Sequence, residues 1–247
     1  LKEIKLKKLS AIFAILAVLF AVTSSFAQPQ ITLHVTGGYN LPMGDLKGVI
    51  GTDTLFKQNY LQKSGFNVGA DGKYFLGKKR NVGITLSAGY NSFTSGTFTA
   101  TDNSTQILKI NSFTIGLGAE YDFMPKGKAN PFLGVEFTGN FFSGKGTQTT
   151  SGGVATDYTM NSASRFGIQG NFGVDFALSK MIGAVVGLKY NMANLIGKDS
   201  AQTTTVGGTT FNLVDKAYGS VTAKSLGWLS IYGGISFYFN RPKIMKK

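Results

Sequence analysis

Very few side chains in this sequence could carry chemistry. There is one histidine, His34, and no cysteine in 247 residues, so neither a zinc cluster of the structural kind nor a thiol nucleophile is on offer. His34 sits between Thr32 and Thr36 on one face of an alternating segment. A hydrolase or acyltransferase acting on lipid A would need that imidazole beside a serine or an acid. None lies near it in sequence, so His34 is read as a hydrogen-bonded interior histidine, with cross-strand pairing to a serine or aspartate left open. Gly72-Lys73-Tyr74-Phe75-Leu76-Gly77-Lys78-Lys79 has the outline of a phosphate-binding loop, but Lys79 replaces the required Ser or Thr and no helix follows. Asn103-Ser104-Thr105 matches a glycosylation acceptor and reads better as a hairpin tip. No catalytic residue, metal or cofactor is expected.

The remaining candidates are charges in unusual company. Asp71, Lys73, Glu120, Asp122, Glu136, Arg165, Asp175 and Lys189 each fall on the polar side of a segment whose other side is apolar. In one such segment Phe113, Ile115, Leu117, Ala119, Tyr121 and Phe123 alternate with Ser112, Thr114, Gly116, Gly118, Glu120 and Asp122. That is a period of two, the signature of a strand with two unlike faces.

Eight such segments occur, at about 31–41, 65–76, 82–92, 110–123, 132–142, 165–178, 182–192 and 228–239. Short links at 77–81, 124–130 and 179–181 alternate with long ones at 42–64, 93–109, 143–164 and 193–227. An even strand count with short turns at one end and long loops at the other predicts an all-β fold, an eight-stranded antiparallel up-and-down transmembrane barrel. The polar faces are mostly Gly, Ser, Thr and Asn, small enough for a narrow lumen, whereas a soluble barrel would show Lys and Glu on its wet side. Tyr39, Tyr74, Tyr90, Tyr121, Phe123, Tyr190, Phe237 and Phe239 gather near segment ends, as interfacial girdles require. The eight charges and His34 then point inward, where they persist only if paired or wet. A salt-bridge network with trapped water is expected to plug the interior.

The long loops show their own patterns. Ser151-Gly152-Gly153-Val154 and Val206-Gly207-Gly208-Thr209 lie between Thr-rich stretches and suggest strands continuing as hairpins. Loop 42–64 holds Leu46, Val49, Ile50, Leu55, Phe56, Tyr60 and Leu61, which suit a cap over the barrel mouth, a short helix or a contact patch.

Lys2, Lys5, Lys7 and Lys8 precede an apolar run, Ala11 to Val22, and Ser25-Phe26-Ala27 follows. This is the grammar of a cleaved signal peptide, giving a leader 1–27, a barrel 28–240 and a basic tail 241–247. The leader's four lysines and one glutamate leave +10 of the net +13 to the rest. Lys78, Lys79, Arg80, Lys126, Lys128, Lys180, Arg241, Lys243, Lys246 and Lys247, all on the short turns or the tail, account for that excess. Charge confined to one rim suits anionic phospholipid headgroups, and nucleic acid is not expected as a partner.

The last segment, Tyr232-Gly233-Gly234-Ile235-Ser236-Phe237-Tyr238-Phe239, resembles the C-terminal signal by which outer-membrane barrels are recognised for insertion, with Gly234, Phe237 and Phe239 matching it. With the leader and eight segments, residues 30–240 resemble the small outer-membrane barrels of the outer-membrane protein A and X type, including the porin-like barrel domains common in Bacteroidetes. The resemblance implies an outer-membrane protein of a Gram-negative bacterium with periplasmic termini, inserted by the barrel-assembly machinery and surrounded by outer-membrane lipid. The function expected is structural or surface interaction through the long loops, with a protein or glycan partner there. A small passive diffusion channel is the alternative, and a lipid A-modifying enzyme the third reading.

Overall fold

The computed structural model of the chain describes residues 29–47, 60, 62–77, 79–200, 210–219 and 222–239. The expected leader 1–27, the basic tail 241–247, the glycine turn at 206–209 and five of the loop residues singled out above (Val49, Ile50, Leu55, Phe56 and Leu61) lie outside them.

Alternation becomes strand throughout. In chain order the strands are β1 (Ile31–Gly44), β2 (Ser64–Leu76), β3 (Val82–Thr94), β4 (Phe98–Thr99), β5 (Thr105–Asp122), β6 (Ala129–Thr149), β7 (Ala155–Ala177), β8 (Ile182–Ile196), β9 (Thr210–Phe211) and β10 (Leu226–Phe239). Each of the eight expected segments is one of the eight long strands. They pair antiparallel with their chain neighbours, β3 pairs with β5, and β10 returns to β1, so the barrel closes without an edge. The two-residue β4 adds to β5, and β9 runs parallel to β7.

The register fixes the shape. From Ile31 the cross-strand partners run through Tyr74, Ile84, Ala119, Val135, Gly170, Tyr190 and Leu229, and return to β1 at Leu41, ten residues from the start. A stagger of ten over eight strands gives a tilt of about 40° and a radius of about 8 Å. That is wide enough for side chains from opposite walls to meet and too narrow to leave a broad channel.

The outward faces are apolar and bare, with Phe137 at 75% exposure and Leu86 at 60%. An exposed surface this apolar on every strand is tenable against lipid and not against water. Phe66, Tyr90, Phe113 and Phe141 ring the wall near the loop end, and Tyr74, Tyr121 and Phe239 near the turn end, all exposed. From Phe113 to Tyr121 is eight residues of β5, about 20 Å along the barrel axis at this tilt, close to the apolar band of such barrels.

Inward, glycine makes room for rings. A Cβ on Gly183 would lie 2.0 Å from the Tyr238 hydroxyl, and one on Gly187 2.5 Å from that of Tyr232. These two tyrosines lie over β8 to reach Asn171 and Asp175 of β7 only because β8 is bare beneath them.

The strands outrun their apolar segments at the loop end. β6 and β7 form a hairpin closed at residues 150–154, where Gly153 takes φ +81° and Thr150 N donates to the Val154 carbonyl over 2.9 Å. Ladder hydrogen bonds continue past the girdle, but outward residues there are Ser143, Lys145 and Thr159, so the apolar signal ends before the strands do.

Candidate functional site: the filled lumen

The lumen is layered from the turn end to the loop end. Lowest lie Lys73 on β2 and Glu120 on β5, paired over the intervening β3 in a buried salt bridge. The Lys73 ammonium also stands 3.8 Å over the Phe132 ring. Asp122, two residues along β5, accepts from the Asn130 amide. Asp175 on β7 accepts from Ser236 Oγ at 2.6 Å and from the Tyr238 hydroxyl at 2.8 Å, with His34 Nε2 3.7 Å from its other oxygen. The serine therefore faces the carboxylate and not the imidazole, the reverse of a nucleophile activated by histidine.

The next layer holds Lys189, bonded to both oxygens of Asp71 at 2.6 and 2.7 Å. Glu136 has neutral partners: Ser87 Oγ at 2.6 Å and Gln169 Nε2 at 3.0 Å. A small, partly open cavity of about 40 Å³ beside this layer is bounded by Asp71, Ser87, Asn91, Thr114, Gln169 and Lys189. Its lining is polar enough to hold water.

Above it runs a belt of amides that the charge-centred reading of the sequence missed. Ser230 Oγ donates to Asn40 Oδ1, Asn40 Nδ2 to Asn91 Oδ1 at 3.0 Å, and Asn91 Nδ2 to Thr114 Oγ1 at 3.3 Å. Thr114 donates to Asn140 Oδ1 at 2.9 Å, and Asn191 Nδ2 reaches the same oxygen at 3.2 Å. The belt links β10, β1, β3, β5, β6 and β8 through side chains alone. Its only sequence signal is asparagine recurring at inward positions of different strands.

The loop end is closed by apolar packing. Leu46, Tyr60, Phe93, Leu108, Ile110, Phe142, Met160, Ala193, Phe211, Leu213, Leu226 and Trp228 form one buried cluster. Trp228 is 1% exposed, with Phe93 at 5.2 Å and Phe142 at 6.5 Å between ring centroids. Leu46, Tyr60, Phe211 and Leu213 among them are brought in by loops 42–64 and 193–227. Of the three readings of loop 42–64, its two described apolar residues take the cap.

The cap is tied down by one acid that strand patterns could not reveal. Arg165, expected to pair with an acid of the lumen wall, instead meets Asp215 of loop 193–227: Nε and Nη2 each reach Asp215 Oδ1 or Oδ2 at 2.9 Å. Asn194 Nδ2 donates to the same carboxylate at 2.7 Å, and the Asp199 backbone N–H at 2.9 Å. The Tyr60 hydroxyl donates to the Val214 carbonyl at 2.6 Å, and burial pushes that phenol well above the usual tyrosine range. Lys224 lies 4.7 Å over the Tyr60 ring; desolvation lowers its ammonium against the pull of Asp45 and Asp215.

His34 and seven of the eight charges singled out in the sequence are thus buried inside the barrel and Lys189 is half-buried there, held in three ion pairs, the His34–Asp175 contact or other polar contacts among the described residues. Gly234, Phe237 and Phe239 lie on β10 where it closes against β1. The phenylalanines face outward, while a Cβ on Gly234 would stand 2.2 Å from the Val35 carbonyl oxygen. Glycine there lets the closing strands approach.

A search of curated proteins found no match to this chain. Among solved structures it is similar to neisserial surface protein A (NspA), at 13% identity and a TM-score of 0.46 over 85% of this chain and 97% of that one. It is similar too to OprG from Pseudomonas aeruginosa, at 14% and 0.46 over 87% and 98%, and to Ail of Yersinia pestis, at 13% and 0.39 over 83% and 98%. The family model for the outer membrane protein beta-barrel domain matches residues 12–214. With its closed eight-stranded wall and lipid-facing girdles, the chain belongs to that family of outer-membrane barrels.

Proposed function

We propose that this protein is a non-conducting, non-enzymatic outer-membrane scaffold that presents its loop end to the outside, with its termini and short basic turns in the periplasm. The observation that carries the reading is the double closure of the lumen. Salt bridges and amides fill the middle, and the apolar cluster around Trp228 seals the loop end. A solute path would have to cross both, and opening either costs buried pairs or buried apolar area. Recognition of a protein or glycan partner is then left to the loop end, where Thr, Ser, Gly and Asn stand on tall hairpins held by a rigid wall. The lipid around the girdles and the assembly machinery, reading Gly234, Phe237 and Phe239, are the other partners proposed.

Planar-bilayer recording tests the closure. The wild-type protein is expected to be silent, and Arg165→Ala, which frees the cap, to give intermittent conductance. A steady wild-type pore of reproducible size would make the diffusion channel the correct reading. A lipid A deacylase or acyltransferase activity lost in His34→Ala would make it an enzyme. Pull-down with intact protein against a barrel lacking residues 145–157 and 200–222 tests where partners bind.

A further inference from the structure

We propose that the outer face of β5 and β6 carries a phosphate-binding site for the glycolipid of the outer leaflet, built on Lys109 and Lys145. Lys109 and Lys145 are direct cross-strand partners, both exposed on the outward face. Such partners have Cβ atoms about 5 Å apart, and like charges so placed destabilise a sheet. Among the described residues neither lysine has an acid within ion-pair distance. The row continues with hydroxyls: Thr94 pairs with Lys109, Ser64 with Thr94, and Thr159 with Lys145. The nearest acid on this face, Asp157, is diagonal to Lys145 and takes the Thr147 hydroxyl at 2.8 Å. Two ammonium groups flanked by hydroxyl donors are what a phosphate monoester recruits.

Height identifies the bearer of that phosphate. Lys109 is four residues beyond the girdle ring Phe113 towards the loop end, and Lys145 is four beyond Phe141. Four residues at this tilt rise about 10 Å, a few ångströms past a headgroup zone whose depth is about 5–8 Å, and lysine stems reach back down into it. The pair points sideways from the barrel wall into the surrounding leaflet. An anion fixed in that leaflet can stay against it, whereas a soluble one gains nothing from the girdle below. The site rests on the orientation proposed above, with the loop end outward.

The test uses the full chain folded in neutral detergent, titrated with phosphorylated lipid A and with lipid A stripped of phosphate. Wild type is expected to bind the phosphorylated form more tightly, less so as salt rises, and Lys109→Gln/Lys145→Gln to bind it about tenfold more weakly, the loss of a charge-assisted contact. Without lipid A the same variant is expected to unfold at higher denaturant than wild type, because the repulsion is gone. Equal binding of the two lipids, or of wild type and variant, overturns the proposal. Displacement by millimolar inorganic phosphate as effective as by lipid overturns the glycolipid assignment. Orientation is read separately, by surface labelling of a Gly152→Cys variant on whole cells: if labelling fails while detergent binding persists, the orientation is wrong and the site's chemistry stands.

Discussion

Arg165 on β7 and Asp215 in the last long loop hold each other through a two-point contact, with both side chains almost wholly buried. Fifty residues separate them, and the pair fastens the loop into the mouth of the barrel. Breaking a buried pair leaves the other charge stranded, which costs about 3–5 kcal/mol. Asp215→Ala is therefore expected to release loop 197–225 while leaving the strands paired. Limited proteolysis should cut the variant there and spare the wild type, and heat-modifiable gel mobility should be unchanged. Loss of the folded band would mean that the loop is part of assembly and not a separately docked cap.

Lys73 and Glu120 make the complementary case, a pair deep in the wall with no loop involved. Replacing one partner is expected to cost more than replacing both, because desolvation of two charges offsets much of their attraction. Glu120→Leu alone should lower the urea midpoint in micelles strongly, and Lys73→Met/Glu120→Leu should recover most of it. A double variant as unstable as the sum of the two single variants would show that the two charges are not coupled and overturn this expectation.

The Tyr60 hydroxyl gives the cap a dependence on alkaline pH. Its pKa is raised in the folded protein by burial and the nearby Asp215 charge, so the unfolded or undocked segment loses the proton more readily. The stabilisation is fully present below the unfolded value of about 10 and is lost as pH rises through the higher folded value. Cap docking, followed by protease resistance of the loop, should weaken in wild type as pH rises above about 10. Tyr60→Phe should lose about 1 kcal/mol from the missing bond to Val214 and lose the pH dependence with it. An unchanged pH profile in Tyr60→Phe would assign the dependence to other groups.

The eight strands were legible because lipid on one side and a crowded lumen on the other force a clean period of two, as along Phe113 to Phe123. Facing followed from the same alternation, which is why Asp71 and Lys189 could be placed inside before any contact was known. Partners were not legible. Asp71 meets Lys189 from a strand 118 residues away because the stagger of ten brings those rows level, and no local pattern encodes that stagger. The amide belt was overlooked since Asn40, Asn91, Asn140 and Asn191 are unremarkable singly and act only as a linked chain. The cap was half legible: Leu46 and Tyr60 stood out as apolar in a loop, but Asp215 looked like any solvated loop acid. What buries it is Arg165 on β7, fifty residues earlier in the chain.

Trp228 allows the cap to be watched directly, because it is the sole tryptophan in the chain and lies at the centre of the apolar cluster. Buried among Phe93 and Phe142, it is expected to emit at short wavelength and to resist quenching by aqueous iodide. Lipids carrying a quencher on their acyl chains should also leave it largely untouched, since its ring faces inward, above the girdle. Asp215→Ala should raise iodide quenching severalfold without changing far-ultraviolet dichroism, because the cap opens while the ladders hold. Trp228→Ala should cost about 3–5 kcal/mol as a large core truncation, concentrated in the cap and in the loop-side ends of β3, β6 and β10 that meet there. If iodide reached Trp228 freely in the wild-type protein, the loop end would be open in the membrane, and the sealed lumen on which the proposed scaffold role depends would not exist.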